Sequence, residues 1–225
     1  MTRSTNARLA GFGYLSYIVV GILNEVLMYP AISAGGIAEK LGRIAAHSTN
    51  VRLGIILKLG ECFSVFVLAV ALYGITRDED QELAMLALLC RVAESVFIAT
   101  LIPNSQGLLW LANARTGVSA PDVAIANALG AFVLAPGAPV GAIFFAVGST
   151  VFSYLLLRGR MIPAWLAWWG VLSSALLVIG VPLQVAGFLT GPLAGYQWVP
   201  AIVFAPVFAL WLLIKGVATP GRREM

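Results

Sequence analysis

The sequence predicts an all-α, polytopic membrane helical bundle, with six transmembrane helices and one outer amphipathic helix in a single integral membrane domain covering residues 1–225. Three observations carry that prediction. Of the 225 residues, 60% are hydrophobic and only 11% charged, whereas soluble domains carry about a quarter charged residues. Mean hydropathy is +0.93. Apolar runs of about 20 residues, the length that crosses a bilayer, recur along the whole chain.

The six runs are Leu9–Met28, Val51–Ile75, Leu83–Ile102, Gly137–Leu157, Pro163–Val185 and Tyr196–Ile214. The first follows Arg3 and Arg8, and no small-residue cleavage pattern precedes Glu25, so it reads as a retained span rather than a signal peptide. After it, IAEKLGRIAAH places Ile37, Leu41 and Ile44 at helical spacing with Glu39, Lys40 and Arg43 between them. That pattern suits an amphipathic helix lying on the outer surface, with His47 as a surface residue. Spans two and three are joined by the short acidic loop RDEDQE and are expected to be antiparallel neighbours. A long outer connection, NSQGLLWLANARTGVSAPD, is expected after Pro103, where proline interrupts the third helix. Within it, Ser119 and Asp122 have capping-box spacing for a helix over 122–134. The prolines of APGAP, 135–139, kink that helix or divide it from span four, as a continuous bent helix or a re-entrant half-helix. Gly137 and Gly141 form a GxxxG that permits close helix approach.

Orientation follows from the bases. Arg3, Arg8, Arg77, Arg158, Arg160, Lys215, Arg222 and Arg223 fall on one side of this topology, and Lys40, Arg43, Arg52 and Arg115 on the other. The positive-inside rule then places both termini in the cytoplasm and the protein in the cell's inner or plasma membrane. Tyr29, Tyr73, Trp165, Tyr196 and Trp198 lie near span ends, where amphipathic rings favour the headgroup layer. The net charge of +4 (14 Lys+Arg, 10 Asp+Glu) is thus an orientation signal and not a nucleic-acid footprint. With one histidine and with Cys62 and Cys90 inside apolar runs, no metal site, haem ligation or other cofactor is expected.

Five ionisable residues fall inside spans: Glu25, Lys58, Glu61, Arg91 and Glu94. Each alone at the bilayer centre costs about 2.5 to 3.5 kcal/mol or more, so they are expected to face inward and one another. At about 1.5 Å rise per residue, Glu25 and Lys58 sit in the outer half of their spans and can pair. Glu61, Arg91 and Glu94 lie nearer the middle, where Arg91 reaches Glu94 at i,i+3 and Glu61 across the interface. Tyr17, Gly21 and Glu25 follow at i+4 steps, with Asn24 beside them, and extend the polar seam. Three acids against two bases leave one carboxyl unmatched, which burial would keep protonated.

Several stretches together resemble a widespread bacterial family of small membrane proteins, domain of unknown function 4386. They are IAAHSTNVRLG before span two, LCRVAESVF in span three, LLLRGRMIPAWLAWWGVL around the fourth inner loop and WLLIKGV near the C-terminus. Arg52-Leu53-Gly54 and Lys215-Gly216-Val217 are the more specific parts. The resemblance covers nearly the whole chain in the same order and implies a six-helix, single-domain architecture; APGAP is unusual for the family. It brings no catalytic residues with it.

Three functions are compatible with the seam. As a binding protein, it would hold the head of a membrane lipid or lipophilic small molecule on Arg91, Lys58, Glu25, Asn24 and Tyr17. As an acid-catalysed enzyme on an isoprenoid or epoxide, Glu61 or Glu94 would donate the proton, a logic similar to that of small membrane terpene cyclases without their motifs. As a proton-coupled transporter, its midplane carboxyls would carry the ion, and a homo-oligomer would supply the second half of an inverted pair.

Overall fold

The computed structural model describes residues 2–33, 35–114, 122–134 and 139–218, and every element among them is a helix. In chain order these are α1 (Arg3–Ile32), α2 (Ile37–Ala46), α3 (Ser48–Thr76), α4 (Gln81–Ala99), α5 (Leu101–Asn113), α6 (Val123–Leu134), α7 (Val140–Arg158), α8 (Ala164–Val185), α9 (Pro192–Tyr196) and α10 (Val199–Ile214). Six stretches are long and apolar enough to cross a membrane: α1, α3, α4 with α5, α7, α8, and α9 with α10. The six expected spans are thus present, each starting or ending some residues from its hydropathic core. Large apolar side chains cover the outside, among them Phe63, Ile179 and Ile202, as a lipid-facing surface requires.

The chain divides into two compact units. The first comprises Met1–Ile18, Cys62–Phe97 and Ala138–Met225. Its core gathers Tyr14, Leu68, Ile75, Leu156, Leu166, Phe208 and Leu212. Small residues let its helices approach closely. A β-carbon at Gly170 would stand 2.6 Å from Ser153 Oγ, and one at Gly141 would stand 2.8 Å from Phe97 Cβ. Hydroxyls stitch the packing further: Thr150 and Ser174 lie 2.9 Å apart between α7 and α8. Ser95 donates to the Cys62 carbonyl at 3.1 Å, while Cys62 donates to the Ser95 carbonyl at 3.5 Å. This reciprocal contact joins α3 to α4 as the antiparallel neighbours the acidic loop predicts.

At one end of this unit that loop collects bases. Arg3 meets Asp78 at 2.9 Å, and Arg158 meets both Glu79 and Asp80 at 3.2 Å. Asp80 also caps α4, accepting the Leu83 amide at 3.1 Å and so satisfying one of the free donors of a helix start. Three of the bases assigned to one membrane side, Arg3, Arg77 and Arg158, therefore lie with the same loop.

The second unit comprises Val19–Glu61 and Ile98–Gly137. The amphipathic pattern of α2 is realised: Leu41 and Ile44 are buried with Leu108, Leu111 and Ala126 from α5 and α6, and Glu39 pairs with Arg43 at 3.2 Å on the exposed face. Gly130 of α6 admits Ile37 and Leu41 closely, at 3.1 and 3.3 Å from where its β-carbon would be.

Two local expectations are corrected here. The segment after Pro103 is helix α5 as far as Asn113 and not an irregular connection there, while 115–121 lie outside the described residues. Pro103 occupies the first turn of that helix, where its missing N–H has no intrahelical acceptor to lose. The cap of α6 is Asp122, whose Oδ1 accepts the Ala124 amide at 3.0 Å; Ser119, Gly137 and Arg115 lie outside the described residues. Helices α6 and α7 are separate, and with 12 residues α6 is too short to span a bilayer.

Candidate functional site

In the first unit the buried polar centre is built on α4. Arg91 and Glu94 stand one turn apart on the same face, and Arg91 Nη1 lies 2.8 Å from Glu94 Oε2. Both are enclosed: Arg91 is 1% exposed and Glu94 3%. Isolated charges at such a place would be costly, and the i,i+3 spacing pairs them without ordering a second helix.

The rest of the shell comes from α1 and α7. Glycine at position 148 makes room for the arginine stem, since a β-carbon there would lie 3.2 Å from Arg91 Cγ and Cδ. Ser149 Oγ accepts from Arg91 Nη1 at 3.5 Å. The Phe145 ring lies under the guanidinium, 5.0 Å from Cζ, a cation–π arrangement. Tyr14, buried in the core of the same unit, is within electrostatic reach of both charges, and its ring meets Phe208 edge-on at 6.0 Å.

This shell leaves much of the guanidinium unsatisfied. Nε and Nη2 of Arg91 are buried and have no hydrogen-bond partner among the described residues. Those two atoms carry three of the five guanidinium N–H groups and form its side-on fork, the edge that suits two-point recognition of an oxygen-bearing group.

The second unit holds the other charges. Lys58 Nζ lies 2.8 Å from Glu61 Oε2, again at i,i+3 on one helix, and Glu61 is buried. Opposite it, Gly21 of α1 would bring a β-carbon within 3.8 Å of Glu61 Oε1. Asn24 is buried, and Gly54 admits it: a β-carbon at 54 would stand 2.9 Å from Asn24 Oδ1. The glycine of Arg52-Leu53-Gly54 therefore has a packing reason.

The expected pair of Glu25 with Lys58 is replaced by Lys58 with Glu61, and Glu25 is exposed on α1. The physical reason is proximity: a partner one turn away on the same helix is already oriented, whereas a partner on another helix must be brought to it. Tyr17 is half-buried and packs beside Tyr14, ring centroids 6.3 Å apart. Sequence reasoning missed Tyr14, Phe145, Gly148 and Ser149. The faint signal for the last two was the small, polar run Gly148-Ser149-Thr150 inside an apolar span. Among the described residues no group of three or more His, Cys, Asp or Glu is placed to hold a metal.

Fold and buried charges together define a multi-pass helical membrane protein whose polar centre lies inside its bundle. The family model for Domain of unknown function (DUF4386) matches residues 9–216, and the chain belongs to that family. Neither a curated protein nor a solved structure matches it.

Proposed function

We propose that this protein binds a lipid or other lipophilic molecule inside its membrane bundle, with the Arg91 guanidinium holding the ligand's polar group. The supporting observation is the unpartnered Nε and Nη2 edge of a fully buried arginine. Leaving buried donors unmet costs about 1 to 3 kcal/mol for a group, more when it is charged, and an acceptor on a ligand would recover that loss. Glu94 already balances the arginine's charge at 2.8 Å. A ligand with a full negative charge would leave the buried centre negative, so the better match is a neutral acceptor such as an ester, ketone or amide carbonyl. Phe145 supplies aromatic surface beside it. Acid catalysis has weaker support, because each of the two candidate proton donors, Glu61 and Glu94, is held by its own cation.

Native mass spectrometry after gentle extraction tests this reading. Wild type is expected to carry about one lipophile per chain at this site. The apolar replacement Arg91→Met with Glu94→Leu should lose it, and Lys58→Met with Glu61→Leu should keep it. An empty wild type, or equal retention in both double variants, would count against the proposal.

A further inference from the structure

At the arginine-rich end of the first unit, the α7–α8 connection and the end of α10 border a shallow, open basin of about 430 Å3, lined by Arg160, Met161, Ile162, Trp211, Lys215 and Gly216 among others. A backbone bond ties its two walls, the Ala218 amide donating to the Met161 carbonyl at 2.8 Å.

The bases of this basin differ from those that engage the acidic loop. Arg3 and Arg158 meet loop carboxylates at 2.9 to 3.2 Å, and Arg77 lies 3.8 Å from Asp78. Arg160 and Lys215 are exposed, and neither has a carboxylate within 4.0 Å among the described residues. They are cations at a concave mouth, with no acid of the acidic loop engaged.

Arg160 is also held where arginine is disfavoured. Helix α7 ends in a Schellman turn, with the Met161 amide donating to the Leu156 carbonyl and the Arg160 amide to the Leu157 carbonyl. That turn places residue 160 at φ +50, the left-handed position that glycine usually fills. The end of α10 uses glycine for the same purpose, with Gly216 at φ +71. A strained residue that keeps its side chain invites a functional reason, and here the side chain lines the basin.

The floor is apolar. Met161 and Ile162 are buried, and Trp211 stands edge-on to exposed Trp165, ring centroids 6.4 Å apart. Indole rings at the end of apolar spans favour the headgroup layer. An arginine-rich end is the cytoplasmic one by the positive-inside rule, and that leaflet carries the anionic lipids, which basic pockets at its surface bind.

We propose that this basin seats the phosphate of an anionic phospholipid, with Arg160 and Lys215 on the phosphate oxygens and Met161, Ile162 and Trp211 against the glycerol and upper acyl chain. The site is distinct from Arg91 and does not depend on it.

The test compares phosphatidylglycerol with phosphatidylcholine in binding to the purified full chain, read by native mass spectrometry and by the thermal midpoint. Wild type is expected to prefer phosphatidylglycerol. Arg160→Gly, which suits the left-handed turn, should keep or raise the midpoint without lipid while weakening phosphatidylglycerol binding about five-fold. Adding Lys215→Gln should bring the loss to roughly thirty-fold. Arg77→Gln removes a charge from the same end outside the basin and should change binding by less than about two-fold. An undiminished preference in the double variant, or an equal loss in Arg77→Gln, would overturn the proposal. Competition by inorganic phosphate as effective as that by phosphatidylglycerol would overturn the assignment to a lipid and leave a soluble anion in its place.

Discussion

Glu94→Ala alone is expected to lower stability by about 3 to 5 kcal/mol, enough to leave little folded protein, because it strands the Arg91 charge in the bundle without its partner. Arg91 is 1% exposed and, among the described residues, has Glu94 at 2.8 Å as its one counter-charge within 4.0 Å. The Ser149 contact at 3.5 Å and the Phe145 face at 5.0 Å are weak substitutes. Removing both charges together should reverse most of that loss, since apolar residues of similar volume often replace a buried ion pair at no cost or with a gain. Thermal midpoints of wild type, Glu94→Ala and the Arg91→Met, Glu94→Leu pair check this. The double variant should stand far above the single one. If it were as unstable as Glu94→Ala, the polar centre would be needed for packing itself, and the case that these charges are kept for a ligand would weaken.

The second large effect is expected at Gly11. A β-carbon there would stand 2.7 Å from the Ala209 carbonyl oxygen and 2.8 Å from the Leu213 amide nitrogen. Those are backbone atoms of α10 and cannot turn aside as a flexible side chain can. Gly11→Val therefore has to push α1 from α10 and disturb Ala209 and Leu212, both at 0% exposure; overpacking of this kind costs about 1 to 3 kcal/mol, with the high end expected here. Gly21→Ala on the same helix provides the contrast. Its nearest neighbour would be Glu61 Oε1 at 3.8 Å, an ordinary contact, and alanine is the better helix former by about 0.5 to 1 kcal/mol. The midpoint should fall sharply for Gly11→Val and hold or rise for Gly21→Ala.

The spans were legible because length and hydropathy of a bilayer-crossing helix are set by the membrane and need no tertiary information. The Arg91–Glu94 pair was legible for a similar reason, since i,i+3 neighbours on a helix meet whatever surrounds them. Pro103 misled because proline ends a helix from its interior but not from its first turn, and sequence alone does not say in which turn it lies. Glu25 misled because depth in the membrane was matched to Lys58 while Glu61, three residues away, was the nearer partner. Phe145 and Gly148 carry no mark of their own in apolar runs; only the packing of α7 on α4 brings them to the arginine. The basin of Arg160 and Lys215 was hidden likewise: it joins 160–163 to 211–218, stretches whose sequence carries an orientation signal and a family resemblance but no sign that they meet.

The most direct measurement of the central claim is an experimental density map of the protein taken from its native membrane with bound lipids retained. It is expected to show non-protein density within hydrogen-bonding distance of Arg91 Nε and Nη2. A well-resolved map in which protein groups satisfy both nitrogens, with no density beside them, would contradict it.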